Sequence, residues 1–130
     1  MRSELQNELK TKFPRTFVHL QGSGRFRICS DGISCGDGWY ELLYQMAKQM
    51  ETVLIGLSDD YLDFAPVQIK EKFGTLRVYT DCTTLELNRI IEAAEMESET
   101  TCEVCGREGV VVSTEQGWLK CLCKMHIPHP

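Results

Sequence analysis

Cys102 and Cys105 stand two residues apart, and after a hairpin-length gap come Cys121, Cys123 and His126. Thiolates and imidazoles without carboxylates are the donor set that suits zinc, and four of them close a tetrahedral site. Cys102-Glu103-Val104-Cys105-Gly106 has the form of a zinc knuckle. In a knuckle two thiolates grip one ion from a tight turn, and a glycine after the second lets the backbone fold back with its N–H toward sulfur. Cys123-Lys124-Met125-His126 repeats the gap of the first pair. The predicted ligands of one structural Zn²⁺ are therefore Cys102, Cys105, Cys123 and His126, with Cys121 as the rival fifth donor. Three thiolates and a neutral imidazole leave about −1 of charge around the ion, and Arg107, Lys120 and Lys124 are near enough in sequence to offset it. A full coordination shell argues against catalytic zinc. A redox dithiol at Cys102 and Cys105 wants a helix N-terminus in a βαβ unit, which the pattern does not offer.

Stepping along the chain, residues 3–12 read as a helix with Ser3 as its cap and Leu5, Leu9 and Phe13 on one face. Pro14 ends it. Arg25–Cys29 alternates as a short strand. Trp39 to Met50 carries a helical stripe of Trp39, Leu42, Leu43, Met46 and Met50, with Asp37 placed near its N-cap. Val53 to Pro66 reads as a solvated connection containing Asp59, Asp60 and Asp63, without the alternation of a calcium loop. Val67 to Tyr79 is the clearest hairpin, turning near Gly74. Residues 83–98 form a second long helix, capped by Thr83 or Thr84, with Glu86 available for a capping box. Val110–Val112 and Trp118–Lys120 form a hairpin that returns the chain to the metal. The expected fold is α+β. A small antiparallel sheet includes residues 25–29 and 67–79 and is packed by two main helices, with an N-terminal helix in addition. Residues 1–100 make the core and residues 101–130 a zinc hairpin docked on it as part of one structural unit.

Composition sets outer bounds. The chain has 130 residues, 42% of them hydrophobic, which suffices for one domain with one main core. No apolar run is long enough to span a bilayer, and the N-terminus has no apolar signal region. Seven cysteines, an odd number, fit metal ligation in the cytoplasm better than a disulfide framework. The net charge of −5 is unevenly spread. Arg25 and Arg27, joined by Lys70, Lys72 and Arg77, give one sheet face a basic character, while Glu92, Glu95 and Glu99 make one side of the second long helix acidic. Net acidity lowers the expectation of sequence-independent DNA binding.

Other groups weigh less. Cys35 precedes a helix N-terminus, where thiols acidify, but buried inert cysteine is the commoner case. Gly22 and Gly24 lack the signature of a phosphate loop and read as a turn. His19, His126 and His129 are too scattered for a base–nucleophile pair. A His-Asn-His nuclease shares the knuckle-and-hairpin layout, but Pro128 and Pro130 forbid the helix it needs next.

Together, Ile33-Ser34-Cys35-Gly36-Asp37-Gly38-Trp39, Ile69-Lys70-Glu71-Lys72-Phe73-Gly74-Thr75-Leu76-Arg77, an Ala-Glu-Met helix entering Thr101-Cys102-Glu103-Val104-Cys105-Gly106, Gly117-Trp118 and Cys123-x-x-His126 resemble a family of small zinc-binding proteins encoded by phages and prophages. The resemblance runs from about Phe13 to His126. Its members typically lack a cysteine at the position of Cys121, which supports Cys123 as the ligand. The resemblance implies a context rather than an activity: a phage accessory protein in the bacterial cytoplasm. The expectation is a non-enzymatic protein that binds a host protein, such as a component of a defence system, through the acidic side at Glu92, Glu95 and Glu99. The alternative is nucleic-acid binding through Arg25, Arg27, Lys70, Lys72 and Arg77.

Overall fold

A computed structural model describes residues 1–20 and 32–128, without the side chains of Ser58, Asp59 and Asp60. The expected strand 25–29 lies outside the described residues. The order is helix α1 (Ser3–Lys12), strand β1 (Ile33–Ser34), helix α2 (Tyr40–Gly56), strands β2 (Pro66–Lys72) and β3 (Thr75–Thr80), helix α3 (Leu85–Ser98) and strands β4 (Val110–Ser113) and β5 (Leu119–Leu122). Short 3-10 turns cover Val18–Leu20, Asp37–Trp39 and Ser58–Phe64. The fold is α+β, as the patterns require.

The larger sheet has the order β1-β2-β3. Its β2–β3 part is the expected antiparallel hairpin, whereas β1 joins β2 in parallel, with Ile33 opposite Ile69. The sheet is thus mixed rather than purely antiparallel, because β1 enters from a connection instead of a hairpin. Alternation along β2 and β3 buries Ile69, Leu76 and Val78. Those residues meet Trp39, Leu43, Met46, Met50 and Leu54 of the α2 region and Leu87, Ile91 and Ala94 of α3 in one core.

The outer edge of β3 is closed by α3. The Leu76 N–H donates to Ser98 Oγ at 2.9 Å and the Val78 N–H to Glu95 Oε2 at 3.0 Å. Unpaired edge groups invite wrong pairing, and this cover removes them.

Three local expectations change. Helix α2 runs to Gly56 rather than stopping at Met50, because Leu54 continues the buried stripe one turn further. Ser3 lies inside α1, and Arg2 holds the cap position without a side-chain bond. Thr84 does cap α3, accepting from the Leu87 N–H at 3.1 Å, but Leu87 occupies the position where a capping-box glutamate would sit.

Candidate metal centre

The knuckle is built by backbone bonds. Cys102 N–H donates to the Arg107 carbonyl at 2.7 Å, and Gly106 N–H to the Cys102 carbonyl at 2.9 Å. Gly106 has φ of 83°, so a residue without Cβ is needed there. A second tight turn follows β5, where the His126 and Ile127 N–H groups both donate to the Cys123 carbonyl at 3.0 Å. Pairing of β4 with β5, Val110 opposite Leu122, carries the second turn back to the first.

The result is a cluster of four potential ligand atoms, from Cys102, Cys105, Cys123 and His126, all within 4.8 Å of one another. Cys105 and Cys123 Sγ are 3.6 Å apart. His126 Nδ1 lies 3.6 Å from Cys102 Sγ and 3.2 Å from Cys123 Sγ. A tetrahedral ion with metal–sulfur bonds of about 2.3 Å and metal–nitrogen bonds of about 2.0 Å has S–S edges of roughly 3.8 Å and S–N edges of roughly 3.5 Å. The donor spacing therefore fits a single metal ion, and Nδ1 is the imidazole nitrogen turned toward it. Among the described residues no second group of three or more such donors is gathered.

Electrostatics agree with thiolate character. Burial pushes the Cys123 thiol up, but the His126 imidazole, the Met125 N–H and the neighbouring thiols outweigh it and bring the group down to about 6. Contact with Cys123 and then Cys102 raises His126. Ligands bind deprotonated, so the lowered Cys102 and Cys123 thiols favour a metal, whereas the raised Cys105 thiol and His126 imidazole must give up protons to it.

Cys121 is outside the cluster. It belongs to the main core, and its Sγ donates to the Glu99 carbonyl at 3.4 Å. Cys102 and Cys123 instead pack with Leu122 in a separate apolar cluster. Strand β5 ends at Leu122, so the alternation that would align Cys121 with Cys123 stops one residue short.

The Gly36-Asp37-Gly38 segment turns out to be the seat of the knuckle. Gly38 N–H donates to the Glu103 carbonyl at 2.8 Å, and Gly36 N–H to Glu103 Oε2 at 2.9 Å. A Cβ on Gly38 would lie 2.2 Å from the Cys102 carbonyl oxygen, and one on Gly36 2.3 Å from that of Glu103. Only glycine permits this approach. Trp39, fully buried, donates its indole N–H to the Thr101 carbonyl at 2.8 Å. Asp37, expected near a helix cap, instead pairs with Arg2 at 2.8 Å.

Glu103, the second residue of the knuckle, is 7% exposed and was not singled out by the sequence. Lys120 Nζ pairs with Glu71 at 2.7 Å and with Glu103 Oε1 at 3.6 Å. Lys120 thus ties the β4–β5 hairpin to the β2–β3 hairpin. A charge inside a Cys-x-x-Cys loop normally faces water, so no local signal marked Glu103 as buried.

The remaining candidates are dispersed. Cys35 is buried, and its thiol is pushed up to about 12 by burial first, then by the carboxylates of Glu103, Asp37 and Glu71, against the pull of the amino terminus. It is not a thiolate. His19 is buried with Nε2 against the Leu62 carbonyl. Glu92, Glu95 and Glu99 line a small cleft of about 270 Å³ beside exposed Met96, bordered by Arg77. Glu95 is already engaged with the β3 edge, and Glu92 accepts from Asn88 at 3.1 Å. Lys70 lies opposite Arg77 and Lys72 opposite Thr75 in the register, so the three cations share one sheet face. Arg25, Arg27 and His129 lie outside the described residues.

Compared with protein-family models, with curated proteins and with solved structures, the chain matches none. Among the described residues no helix is long and apolar enough to cross a membrane.

Proposed function

We propose that this chain is a non-enzymatic binding protein organised by one structural zinc ion, and that it acts as a phage or prophage accessory protein on a host protein in the bacterial cytoplasm. The observation that carries the reading is the group of four donors with tetrahedral spacing. Three thiolates and an imidazole favour zinc over harder or more oxidisable metals, and four protein ligands leave no position for substrate. The ion's work is then architectural: Cys102, Cys105, Cys123 and His126 hold the β4–β5 hairpin on the Gly36–Gly38 seat. Metal analysis of the purified chain is expected to give one zinc per chain, and cobalt substitution to give the visible spectrum of a tetrahedral thiolate site. Zinc well below one per chain would contradict the site.

The partner is a host protein, such as a component of a defence system. Support comes from the exposed Met96 flanked by Glu92 and Glu99, an apolar anchor within an acidic rim. Wild-type protein immobilised against host lysate is expected to retain a partner that a Glu92→Lys/Glu99→Lys variant releases. If both recover the same proteins, and expression protects no phage from any host defence, the reading fails.

A second reading, nucleic-acid binding, is favoured by one specific observation. Lys70, Lys72 and Arg77 come together on a single solvated sheet face, and none of them forms an ion pair among the described residues.

A further inference from the structure

We propose that the outer face of the β2–β3 hairpin, with the cleft at its tip, binds single-stranded nucleic acid, Phe73 and Trp118 stacking on bases while Lys70, Lys72 and Arg77 meet phosphates. This rests on the second reading above and gives it a substrate class and a geometry.

The face has a one-signed composition. Strand alternation sends Ile69, Leu76 and Val78 inward, so Gln68, Lys70 and Lys72 of β2 and Thr75, Arg77 and Tyr79 of β3 stand on the other side. No carboxylate is among them. Glu71 points to the opposite side, where it accepts from the Gly74 N–H at 2.8 Å and pairs with Lys120. The face therefore offers cations that form no ion pair among the described residues, in a protein whose net charge is negative.

At the tip of this face the aromatics gather. Phe73 is 64% exposed and Trp118 66% exposed, and both line one cleft of about 490 Å³ together with Lys72, Leu119, Gln116 and Glu71, whose carboxylate is engaged by the Gly74 N–H and Lys120. Phe73 sits at φ of 55° and Gly74 at 83°. Glycine or asparagine takes the left-handed region at least cost in such a hairpin turn, and a bulky residue there is an outlier. Strain of this kind collects where a side chain must be presented. Gly74 explains why the two rings share one cleft. A Cβ there would lie 3.0 Å from Val111 Cγ1 and 3.3 Å from the Lys120 nitrogen, so the first hairpin's turn rests directly on the second hairpin. The Lys72 ammonium lies 5.5 Å from the Phe73 ring centroid, placing a cation beside the ring.

Exposed rings at the end of a row of cations are the elements of a single-strand platform: bases stack on the rings and the backbone follows the charge. Duplex is the poorer fit, since its bases are already stacked, and Arg77 borders the acidic α3 cleft. That border also orders the cations, with Lys72, which lines the aromatic cleft, ahead of Lys70 and Arg77.

The test uses the zinc-loaded full chain and labelled 12-nucleotide oligothymidine, oligouridine and a 12-base-pair duplex, followed by fluorescence anisotropy at low salt. Preferential binding of one or both single strands is expected, the pair of probes deciding between deoxyribose and ribose. The log–log slope against salt should be about −2 for three phosphate contacts on a single strand. Trp118→Ala and Phe73→Asn should each weaken binding by about 5- to 150-fold, the span of one base–aromatic stack. Asparagine suits the positive φ, so the Phe73 variant keeps the turn and separates presentation of the ring from folding. Lys72→Glu should cost more than Arg77→Glu. Duplex binding that is lost with the Lys70 and Lys72 reversals but indifferent to ring removal would overturn this proposal and keep the broader nucleic-acid reading. No binding of any probe at low salt would overturn both.

Discussion

The β2–β3 hairpin buries Ile69, Leu76 and Val78, and α3 closes its open edge through Ser98 and Glu95. The β4–β5 hairpin leaves Val110, Val111, Trp118 and Leu119 exposed. Its buried contribution is Cys121, Leu122 and Cys123. The first is held chiefly by apolar burial, the largest favourable term in folding. The second buries too little for that, and an isolated two-stranded hairpin is marginal in water. It carries instead the four clustered donors, with Glu103 against Gly36 and Lys120 bridging Glu103 and Glu71. Two hairpins in one small chain thus depend on different physical sources of order, and the two should fail separately.

Metal removal is the strongest way to separate them. Structural zinc sites contribute about 10–16 kcal/mol in isolated modules. Chelation, or Cys102→Ser, is expected to abolish hydrogen-exchange protection over β4–β5 while β2–β3 amides stay protected. Equal loss in both hairpins would show that the metal supports the whole core, and the contrast drawn above would go. The converse change is Leu76→Ala, expected to lower stability by about 2–5 kcal/mol through a core cavity. Zinc stoichiometry should stay near one per folded chain, and loss of metal alongside loss of stability would break the comparison from the other side.

The junction is tested by Gly38→Ala. The added methyl meets the Cys102 carbonyl oxygen, so a backbone shift costing about 1–3 kcal/mol is expected. Thermal melts should report it together with a faster loss of zinc to a chromogenic chelator. An unchanged rate of zinc loss would mean that the seat does not support the knuckle. The smallest effect is expected from Thr84→Ala, about 1 kcal/mol for a lost cap. It should act on α3 and the core, leaving the zinc-loss rate alone.

Much of this was legible beforehand, for reasons that differ by element. The stripe of Leu87, Ile91 and Ala94 and the turn at Gly74 follow from periodicity and turn chemistry, which act over a few residues. The helical stripe in the sequence stops at Met50, and Val53 and Gly56 are weak helix formers, but burial of Leu54 carries α2 on to Gly56. In the sequence the glycines at 36 and 38 simply flank Asp37 ahead of a helix. Their role depends on Glu103, 67 residues further along from Gly36. The acidic side of α3 looked uniform, yet Glu95 differs from its neighbours by bonding a strand edge 17 residues away.

The sequence alone narrowed the donors to five, Cys102, Cys105, Cys121, Cys123 and His126. A two-residue gap lets one tight turn bring Cys102 to Cys105 and another bring Cys123 to His126. Only the tertiary structure decided what those donors hold, which cysteine is left to the core, and that Phe73 and Trp118 share one cleft. Each of those depends on packing between segments far apart in the chain, and that packing leaves no local periodicity to read.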